Sequence, residues 1–468
     1  MFNIFQKSEE KNENKEDNFT IEFIQTPTAS IERELYVLKR EVEKFKQNFD
    51  FSFYKPNVGV FGVNSAGKST FLNALLGSKE FKMGLSETTS EITRLTKSKN
   101  IKKIPNVKDE FREYENLKYF NLFDIPGFGK YFSEEILKEI LEYLDIIFWM
   151  IDISKGITKE DKEFMQYIKN SNAKIMVITN KIDAVIEDEL SEGYDEVEKN
   201  INFIYNFFKN EGLENNLIGI LPISAKKALI GRLKDKNKEF VLLIEYIENL
   251  LIYAVFIESF TATAYEILNY LNSDEFIEEL EELLPTNEIV DALAYELYEE
   301  IYDNTSFMDS LFGSKAEKAK PIINRYANEF RSYFTNHYQN FADHFNQLTN
   351  DILNYLYVYN VLIPSNGLNF DINFKRRKIS LKIPVNQISE NTFFGSSFAE
   401  EISNKFYEKT IMAFERVYNE LINDVNKHLD LIKDKIVNST NDFQYHLNMG
   451  LNQKVDIYQN LIKNFLKA

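Results

Sequence analysis

The spacing of hydrophobic and polar positions divides the chain into two parts. Up to about residue 235 the apolar positions form short runs separated by helical stretches, and most runs are rich in β-branched or aromatic residues: VGVF at 58–61, YFNLF at 119–123, IIFWMI at 146–151, KIMVIT at 174–179 and IGILPI at 218–223. Runs too short for helices predict buried strands. Their alternation with helices predicts an α/β fold for residues 55–235, with a mainly parallel sheet and flanking helices.

The pattern after residue 235 is helical. Apolar residues recur at spacings of three and four in two long stripes, one from Tyr326 to Tyr355 and one from Ile402 to Ile436. At 1.5 Å per residue each helix would be roughly 50 Å long, which is more than a compact domain requires. Residues 236–468 are therefore expected to form an elongated α-helical bundle or stalk.

One segment of the helical half departs from this pattern. Between residues 367 and 385 apolar and polar residues alternate on either side of a basic run, Lys375 to Lys378. Alternation with a period of two predicts strands, so we expect a β-hairpin with a basic tip at 367–385.

The N-terminal region predicts an arm followed by a helix. Residues 1–26 include the charged run KSEEKNENKEDN, which cannot bury enough apolar surface to become ordered. Leu35, Leu38, Val42 and Phe45 then form one helical stripe. We expect residues 27–50 to form a helix that packs on the helical half.

Residues Gly62 to Ser69 read GVNSAGKS and match the phosphate-binding pattern G-x-x-x-x-G-K-[ST]. The pattern follows a predicted strand and precedes a predicted helix, which is the context that it requires. Its glycines let main-chain N–H groups curl around phosphate oxygens, while Lys68 neutralises the β and γ phosphates and the Ser69 hydroxyl is a ligand for Mg²⁺.

Two further stretches concern the γ-phosphate and the metal ion. Asp124-Ile125-Pro126-Gly127 follows the strand YFNLF, where the carboxylate can hold a Mg²⁺-bound water and the glycine N–H can meet the γ-phosphate. The loop around residue 88 offers two candidates for a switch threonine, Thr88 and Thr89, of which Thr89 is favoured. Ser69, Thr89 and Asp124 are thus the expected Mg²⁺ ligand set.

Two motifs predict a guanine pocket. Asn180-Lys181-Ile182-Asp183 ends the strand KIMVIT, and a carboxylate there accepts two hydrogen bonds from the guanine edge. Adenine does not supply these donors in that arrangement and would leave the Asp unpaired at a considerable cost. Ser224-Ala225-Lys226 follows the strand IGILPI and is expected to contact the guanine oxygen through its main chain.

Taken together, these motifs resemble the translation-factor-like branch of P-loop GTPases and, within it, the dynamin-like large GTPases, especially the bacterial ones. Ser65 to Ser69 is similar to the dynamin P-loop core, and Thr70 to Gly77 is similar to the run that follows it in bacterial dynamin-like proteins. The resemblance implies a P-loop GTPase domain followed by a helical stalk. It also implies a set of nucleotide contacts: Gly62, Asn64, Ser65, Ala66, Gly67, Lys68, Ser69, Thr70, Asp124, Gly127, Asn180, Lys181, Asp183, Ser224, Ala225 and Lys226.

The catalytic residues that the resemblance implies are Asn64, Ser65, Lys68 and Thr89. Dynamins usually carry Gln where this chain has Asn64, and position 128, where Ras-like proteins have their catalytic Gln, is Phe. Hydrolysis must therefore be completed by Asn64, a main-chain carbonyl, a bound cation or a partner. In the family the partner is usually a facing GTPase domain, which implies a homodimer or a higher homo-oligomer. A regulatory switch whose helical half binds another protein is the alternative.

Composition limits the partners and the location. The chain has no cysteine, which excludes disulfides and thiolate metal sites, and it lacks an early basic and apolar leader, so a cytoplasmic location is expected. The net charge of -18 opposes non-specific binding to DNA. The apolar stretch at 249–257 is far shorter than the roughly 20 residues that cross a bilayer, so no membrane span is expected.

Peripheral membrane contact remains open at four places. The apolar connections at 306–314 and 391–398 and the amphipathic end at 454–467 are suited to a bilayer interface, although burial in the bundle is the commoner outcome for such segments. The basic run at 375–378 is suited to lipid phosphates or is a solvated turn.

Overall fold

The computed structural model describes residues 26–48, 54–81, 92–99, 101–127, 134–187, 193–304, 315–362, 368, 370, 373–374, 381–389 and 397–467. Several predictions concern residues outside these ranges: residues 1–25 of the predicted arm, Thr88, Thr89, Phe128, the connection at 306–314, most of 391–398, and the basic run at 375–378.

Seven strands in the described part of the chain form one sheet. They are β1 (Asn57–Gly62), β2 (Ile92–Thr96), β3 (Val107–Phe111), β4 (Asn121–Asp124), β5 (Ile146–Asp152), β6 (Lys174–Asn180) and β7 (Leu217–Ile223), in the order β3-β2-β4-β1-β5-β6-β7. Neighbouring strands are parallel except for β2 and β4. The mainly parallel sheet is confirmed, and its central strands are those predicted from the apolar runs.

Strands β2 and β3 were not predicted, because their sequences are polar. Arg94 lies in the middle of β2 and is only 4% exposed. Its Nε donates to Asp109 Oδ1 of β3 at 2.6 Å, and its guanidinium also donates to the Lys102 carbonyl. A buried, fully paired arginine leaves no apolar signal in the sequence.

Helices cover the sheet and continue beyond it. They are α1 (Pro27–Asn48), α2 (Lys68–Leu76), α3 (Glu134–Leu141), α4 (Lys159–Ile168), α5 (Ile182–Ile186), α6 (Tyr194–Asn210), α7 (Ala225–Lys234), α8 (Lys238–Tyr270), α9 (Asp274–Leu283), α10 (Glu288–Asn304), α11 (Lys315–Tyr357), α12 (Val385–Ser389) and α13 (Phe398–Lys467). Short 3₁₀ turns lie at Glu115–Lys118, Glu214–Asn216 and Val358–Leu362.

The helical half is elongated, as predicted. Helix α13 has 70 residues, which corresponds to about 105 Å at 1.5 Å per residue. The boundary predicted after residue 235 coincides with the tight turn between α7 and α8, where Asp235 and Asn237 adopt left-handed φ values of 53° and 49°.

The helical half shares a core with one face of the sheet. Phe148 of β5, Phe256 of α8 and Phe45 of α1 belong to the same buried cluster, and the Phe45 ring meets that of Phe256 at 5.4 Å. The opposite face of the sheet forms a separate core that includes Trp149 and Phe208. Helix α1 therefore packs on α8, as predicted for this segment.

The last turns of α13 lie against the edge strand β7. The Tyr458 hydroxyl donates to the Pro222 carbonyl at 2.6 Å, and Gln459 Nε2 donates to the Ile220 carbonyl at 2.9 Å. The amphipathic end of the chain is therefore buried against the sheet as well as against α8. Side-chain donors from a helix protect carbonyl groups at this edge of the sheet.

The segment predicted as a β-hairpin has no strand among its described residues. Phe370, Phe374 and Leu381 are buried. Side chains of α11 bond this backbone: the Phe370 N–H donates to the Tyr357 hydroxyl, and the Phe374 N–H donates to Asn346 Oδ1. At these two positions helix side chains bond the backbone where a partner strand was expected, and the basic tip of the predicted hairpin lies outside the described residues.

Among the described residues one helix, α8, is long and apolar enough to cross a bilayer, and 78% of its most apolar window is buried inside the fold. The core helix of a globular protein has the same composition. The prediction from residues 249–257 underestimated the apolar length, because Glu248 and Glu258 interrupt the run but belong to the same helix.

Candidate nucleotide-binding site

The P-loop connects β1 to α2 through residues with positive φ. Ser65 has φ 68° and Gly67 has φ 97°. A Cβ atom on Gly67 would lie 2.2 Å from Asn180 Nδ2, so this close approach requires glycine. Helix α2 begins at Lys68 and directs its first N–H groups toward the loop, which is an arrangement that binds anions.

Asn180 joins three of the predicted motifs. Its Nδ2 donates to the Ala66 carbonyl of the P-loop at 2.9 Å, and its Oδ1 accepts from the Ala225 N–H at 3.0 Å. Asn180 is buried and lies at the end of β6. One carboxamide therefore holds the P-loop, the base-reading loop and the start of α7 in a fixed relation.

A cavity of about 550 Å³ lies beside these loops. The predicted residues Gly67, Thr70, Asn180, Lys181, Asp183 and Lys226 line it. Its apolar wall comes from α7, including Leu229, Ile230 and Leu233, which the sequence analysis did not select. A mainly apolar cavity of this size with a few polar groups suits a nucleoside.

Asp183 provides the acceptor that guanine requires. Its Oδ1 is buried and has no hydrogen-bond partner among the described residues. A buried carboxylate oxygen without a partner is costly, and the two adjacent N–H donors of guanine would satisfy it.

Two residues of the Ser224-Ala225-Lys226 stretch make hydrogen bonds within the fold, and the third is available to the cavity. The Ser224 hydroxyl accepts from the Lys227 N–H and caps α7, while the Ala225 N–H is bonded to Asn180. The Lys226 N–H has no acceptor in the described part of the chain. Of the three, Lys226 is therefore the main-chain donor best suited to the guanine oxygen.

Asp152 is a site residue that the sequence analysis missed. Its Oδ2 accepts from Lys181 Nζ at 2.6 Å and its Oδ1 from the Ser154 hydroxyl at 2.7 Å. Burial alone would raise the pKa of Asp152, but the bonds from Lys181 and Ser154 lower it below its ordinary value. The pair holds the Lys181 side chain along the pocket. Asp152 is the last residue of β5 and lies beside the end of β6. A carboxylate that directly follows an apolar run, at this edge of the sheet, was the signal in the sequence that could have identified it.

The phosphate end of the site brings Lys68, Asp124, Gly127 and Asn64 together. Lys68 Nζ donates to the Gly62 carbonyl at 2.9 Å. A Cβ on Gly127 would lie 2.1 Å from Asn64 Oδ1 and 3.0 Å from Lys68 Nζ, so Gly127 closely approaches both side chains.

The charges at this end are strongly desolvated. Burial raises the pKa of Asp124 to about 6, against the opposing effect of Lys68, and burial lowers the pKa of Lys68 to about 8, against that of Asp124. Asp124 Oδ1 is also buried without a partner in the described residues. A buried acceptor of this kind, at the end of the strand that pairs with β1, fits a hydrated Mg²⁺ ion.

A comparison with protein families identifies the domain that contains this site. The model for the elongation factor Tu GTP binding domain matches residues 55–305, which is more than half of the 468 residues. This chain belongs to that family. It carries a P-loop GTPase domain, and the cavity beside Asp183 is the expected guanine pocket of that domain.

Individual relatives match parts of the GTPase domain. GTPase Der of Acetivibrio thermocellus is 31% identical over 140 residues, which cover 28% of this chain and 28% of that protein. The probable transmembrane GTPase FZO-like, chloroplastic, of Arabidopsis thaliana is 28% identical over 189 residues, covering 38% and 20%. The chain spans about a fifth to a half of the length of these curated relatives.

One solved structure resembles a larger part of the chain. A structure of an oligomerised bacterial dynamin pair covers 90% of this chain and 81% of the other, with 18% identity and a TM-score of 0.36.

Proposed function

We propose that this protein binds GTP with Mg²⁺ and hydrolyses it to GDP and phosphate. The observation that carries the proposal is the pair of buried, unpartnered carboxylate oxygens in the GTPase domain, one on Asp183 and one on Asp124. The first suits the guanine edge and the second suits a hydrated metal ion.

The residues divide the task as follows. In this proposal the N–H groups of the P-loop and Lys68 bind the phosphates, and the Gly127 N–H meets the γ-phosphate. Ser69 and Asp124 would hold Mg²⁺, with Thr89 as the expected third group. When bound, the ion neutralises charge on the β and γ phosphates. Asn64 is proposed to orient the attacking water, which its close approach to Gly127 supports.

Hydrolysis is completed, in this proposal, by self-association of two GTPase domains. Asn64 and Ser65 are exposed, so a second molecule can reach the phosphate end of the site. The Asn64 side chain is one methylene shorter than glutamine and gains most from a partner that orders it. If contact with a second molecule orders Asn64, the rate of GTP hydrolysis per molecule would depend on protein concentration.

The test is GTP hydrolysis per molecule across a hundredfold range of protein concentration, with ATP as the competing nucleotide. Lys68→Ala is the blank, because it removes the phosphate-binding cation. A specific rate that rises with concentration, and is selective for GTP, is expected. A flat rate would contradict self-association, and equal use of ATP would contradict the guanine pocket.

A role in membrane association or remodelling extends this proposal. Its support is the match to a relative that is named as a transmembrane GTPase, together with the elongated helical half. Flotation of the protein with anionic liposomes, with and without GTP, tests it. Changing Lys375, Arg376, Arg377 and Lys378 together to Glu should abolish flotation if this basic run is the contact. Absence of flotation by the wild-type protein would contradict membrane association.

A regulatory switch is the second candidate. It is favoured by the 31% identity to GTPase Der, which extends over 140 residues and covers only 28% of this chain. In this reading the helical half binds a protein partner and hydrolysis resets the switch. A slow, GTP-specific rate that does not change with concentration would favour it over self-association.

A further inference from the structure

Two helices that carry nucleotide loops at their N-terminal ends are joined to each other at their C-terminal ends. Helix α2 begins with Lys68 of the P-loop, and α7 begins with Ala225 beside the guanine pocket. At the far end, Arg232 of α7 donates to the Leu75 carbonyl of α2 at 2.8 Å. The two binding loops are therefore connected through about 13–15 Å of helix each.

Glu248 of α8 organises this connection. Its Oε2 pairs with an Arg232 nitrogen at 3.0 Å, and its Oε1 accepts from the Tyr114 hydroxyl and from Asn116 Nδ2. Tyr114 also lies 3.3 Å from the Leu75 carbonyl. Burial raises the pKa of Tyr114 well above its ordinary value, so the hydroxyl keeps its proton and donates.

Elements from both halves of the molecule converge here. Tyr114 and Asn116 belong to the connection between β3 and β4, and Asn116 Oδ1 in turn accepts from Lys46 Nζ of α1 at 3.0 Å. The side chains of Arg232 and Glu248 are each only 14% exposed. We call the Leu75 carbonyl, Tyr114, Arg232 and Glu248 the α2 latch.

Stability alone does not account for the α2 latch. A buried ion pair gains little net free energy, because desolvation of both charges offsets their attraction. Its planar, multiply bonded geometry instead fixes the relative positions of three helices. Support of this kind is what a phosphate-binding loop needs, since small displacements of its donors weaken binding.

We propose that Glu248 is a positioning residue of the GTP site, which acts through Arg232 and Tyr114 on the helix that carries Lys68 and Ser69. The proposal rests on the proposed function, because it requires the site to bind guanine nucleotides. Loss of the latch frees the last turn of α2 and makes the P-loop less well defined. Bound GDP then dissociates faster, without any change in a group that touches the nucleotide.

The experiment measures dissociation of fluorescently labelled GDP from the full chain after addition of excess unlabelled GDP. Glu248→Gln and Arg232→Gln should each accelerate dissociation by about fivefold or more, which is the lower range of coupling between linked sites. The double variant should be no faster than either single variant, because both remove the same connection.

Two control variants separate positioning from other effects. Glu245→Gln removes the exposed pair of Glu245 with Lys39, which joins α1 to α8 at 2.6 Å, and should leave dissociation within about twofold of wild type. Ile436→Val, buried in α13, should lower thermal stability without changing dissociation. Arg232→Lys keeps the charge, but its single amine cannot bond Glu248 and the Leu75 carbonyl in the same way. GDP should therefore still dissociate faster from this variant than from the wild type.

The outcomes distinguish the two proposals. If the wild-type protein binds GDP and Glu248→Gln releases GDP at the wild-type rate, the α2 latch proposal is wrong and the proposed function is unaffected. Acceleration by Ile436→Val equal to that by Glu248→Gln would show a general loss of stability and would also overturn it. If the wild-type protein failed to bind GDP at all, the proposed function would be wrong and the latch with it.

Discussion

Glu258 of α8 should make the stability of the protein depend on pH between about 5 and 7. Its carboxyl is partly buried where α8 meets the base of the sheet. Burial raises its pKa to about 7, the negative charge of Asp145 adds to this, and Lys174 opposes it. Tyr54, whose hydroxyl donates to Asp145 Oδ1 at 2.6 Å, faces the same cluster.

The sign follows from proton binding. Between the ordinary value of 4.5 and about 7, the folded state binds more protons at Glu258 than the unfolded state does. The contribution of Glu258 to stability is therefore greatest below about pH 4.5 and is lost as pH rises through 7. The full shift would be worth about 3 kcal/mol at 1.36 kcal/mol per pH unit, and partial solvent access reduces this to about 1–2 kcal/mol.

Urea unfolding at pH 5 and pH 8 provides the assay. Trp149 is the one tryptophan of the chain and is buried in β5, so its fluorescence reports unfolding of the sheet. Glu258→Gln should be about 1–2 kcal/mol more stable than wild type at pH 8 and nearly equal to it at pH 5. Glu278→Gln, at an exposed position on α9, is the matched control. A wild-type-to-variant difference that is the same at both pH values would refute the argument.

Three further substitutions test the site and its support. Asp183→Asn replaces an acceptor by a donor, so GTP affinity should fall about 100-fold or more and xanthosine triphosphate should gain, as measured by competition binding. Gly67→Ala places a methyl group 2.2 Å from Asn180 Nδ2, so GDP binding should be lost in calorimetry while far-ultraviolet circular dichroism stays unchanged. Tyr458→Phe leaves the buried Pro222 carbonyl without its 2.6 Å bond, so chemical denaturation should show a loss of about 1–2 kcal/mol.

The central sheet and the nucleotide motifs were predictable from the sequence. Strands β5 and β6 are buried on both faces and therefore appear as continuous apolar runs. Because parallel strands end at the same edge of a sheet, motifs that follow β1, β4, β6 and β7 had to converge there. The structure brings Gly67, Thr70, Asn180 and Asp183 to one cavity.

The polar parts of the fold were not predictable in the same way. Arg94 is buried because Asp109, which is 15 residues away in the sequence, pairs with it. The segment at 367–385 alternates like a hairpin, but at Phe370 and Phe374 its backbone is bonded by side chains of α11. Glu248 and Glu258 looked like flanks of a short apolar run, but both lie within α8, and Glu248 pairs there with Arg232. Each outcome depends on a partner that periodicity does not reveal.

Local motifs supply the chemistry of this GTPase domain, whereas contacts between distant residues hold its geometry. Asn180 bonds the P-loop across 114 residues, and Arg232 bonds the end of α2 across 157. Tyr458 reaches β7 across 236 residues, two positions before Ser224 at the guanine pocket. A binding loop is only as well defined as the side chains that support it. The end of α13 therefore supports the strand that leads into Ser224, whereas positions of the helical half that make no such contact, such as Ile436, should leave binding unchanged.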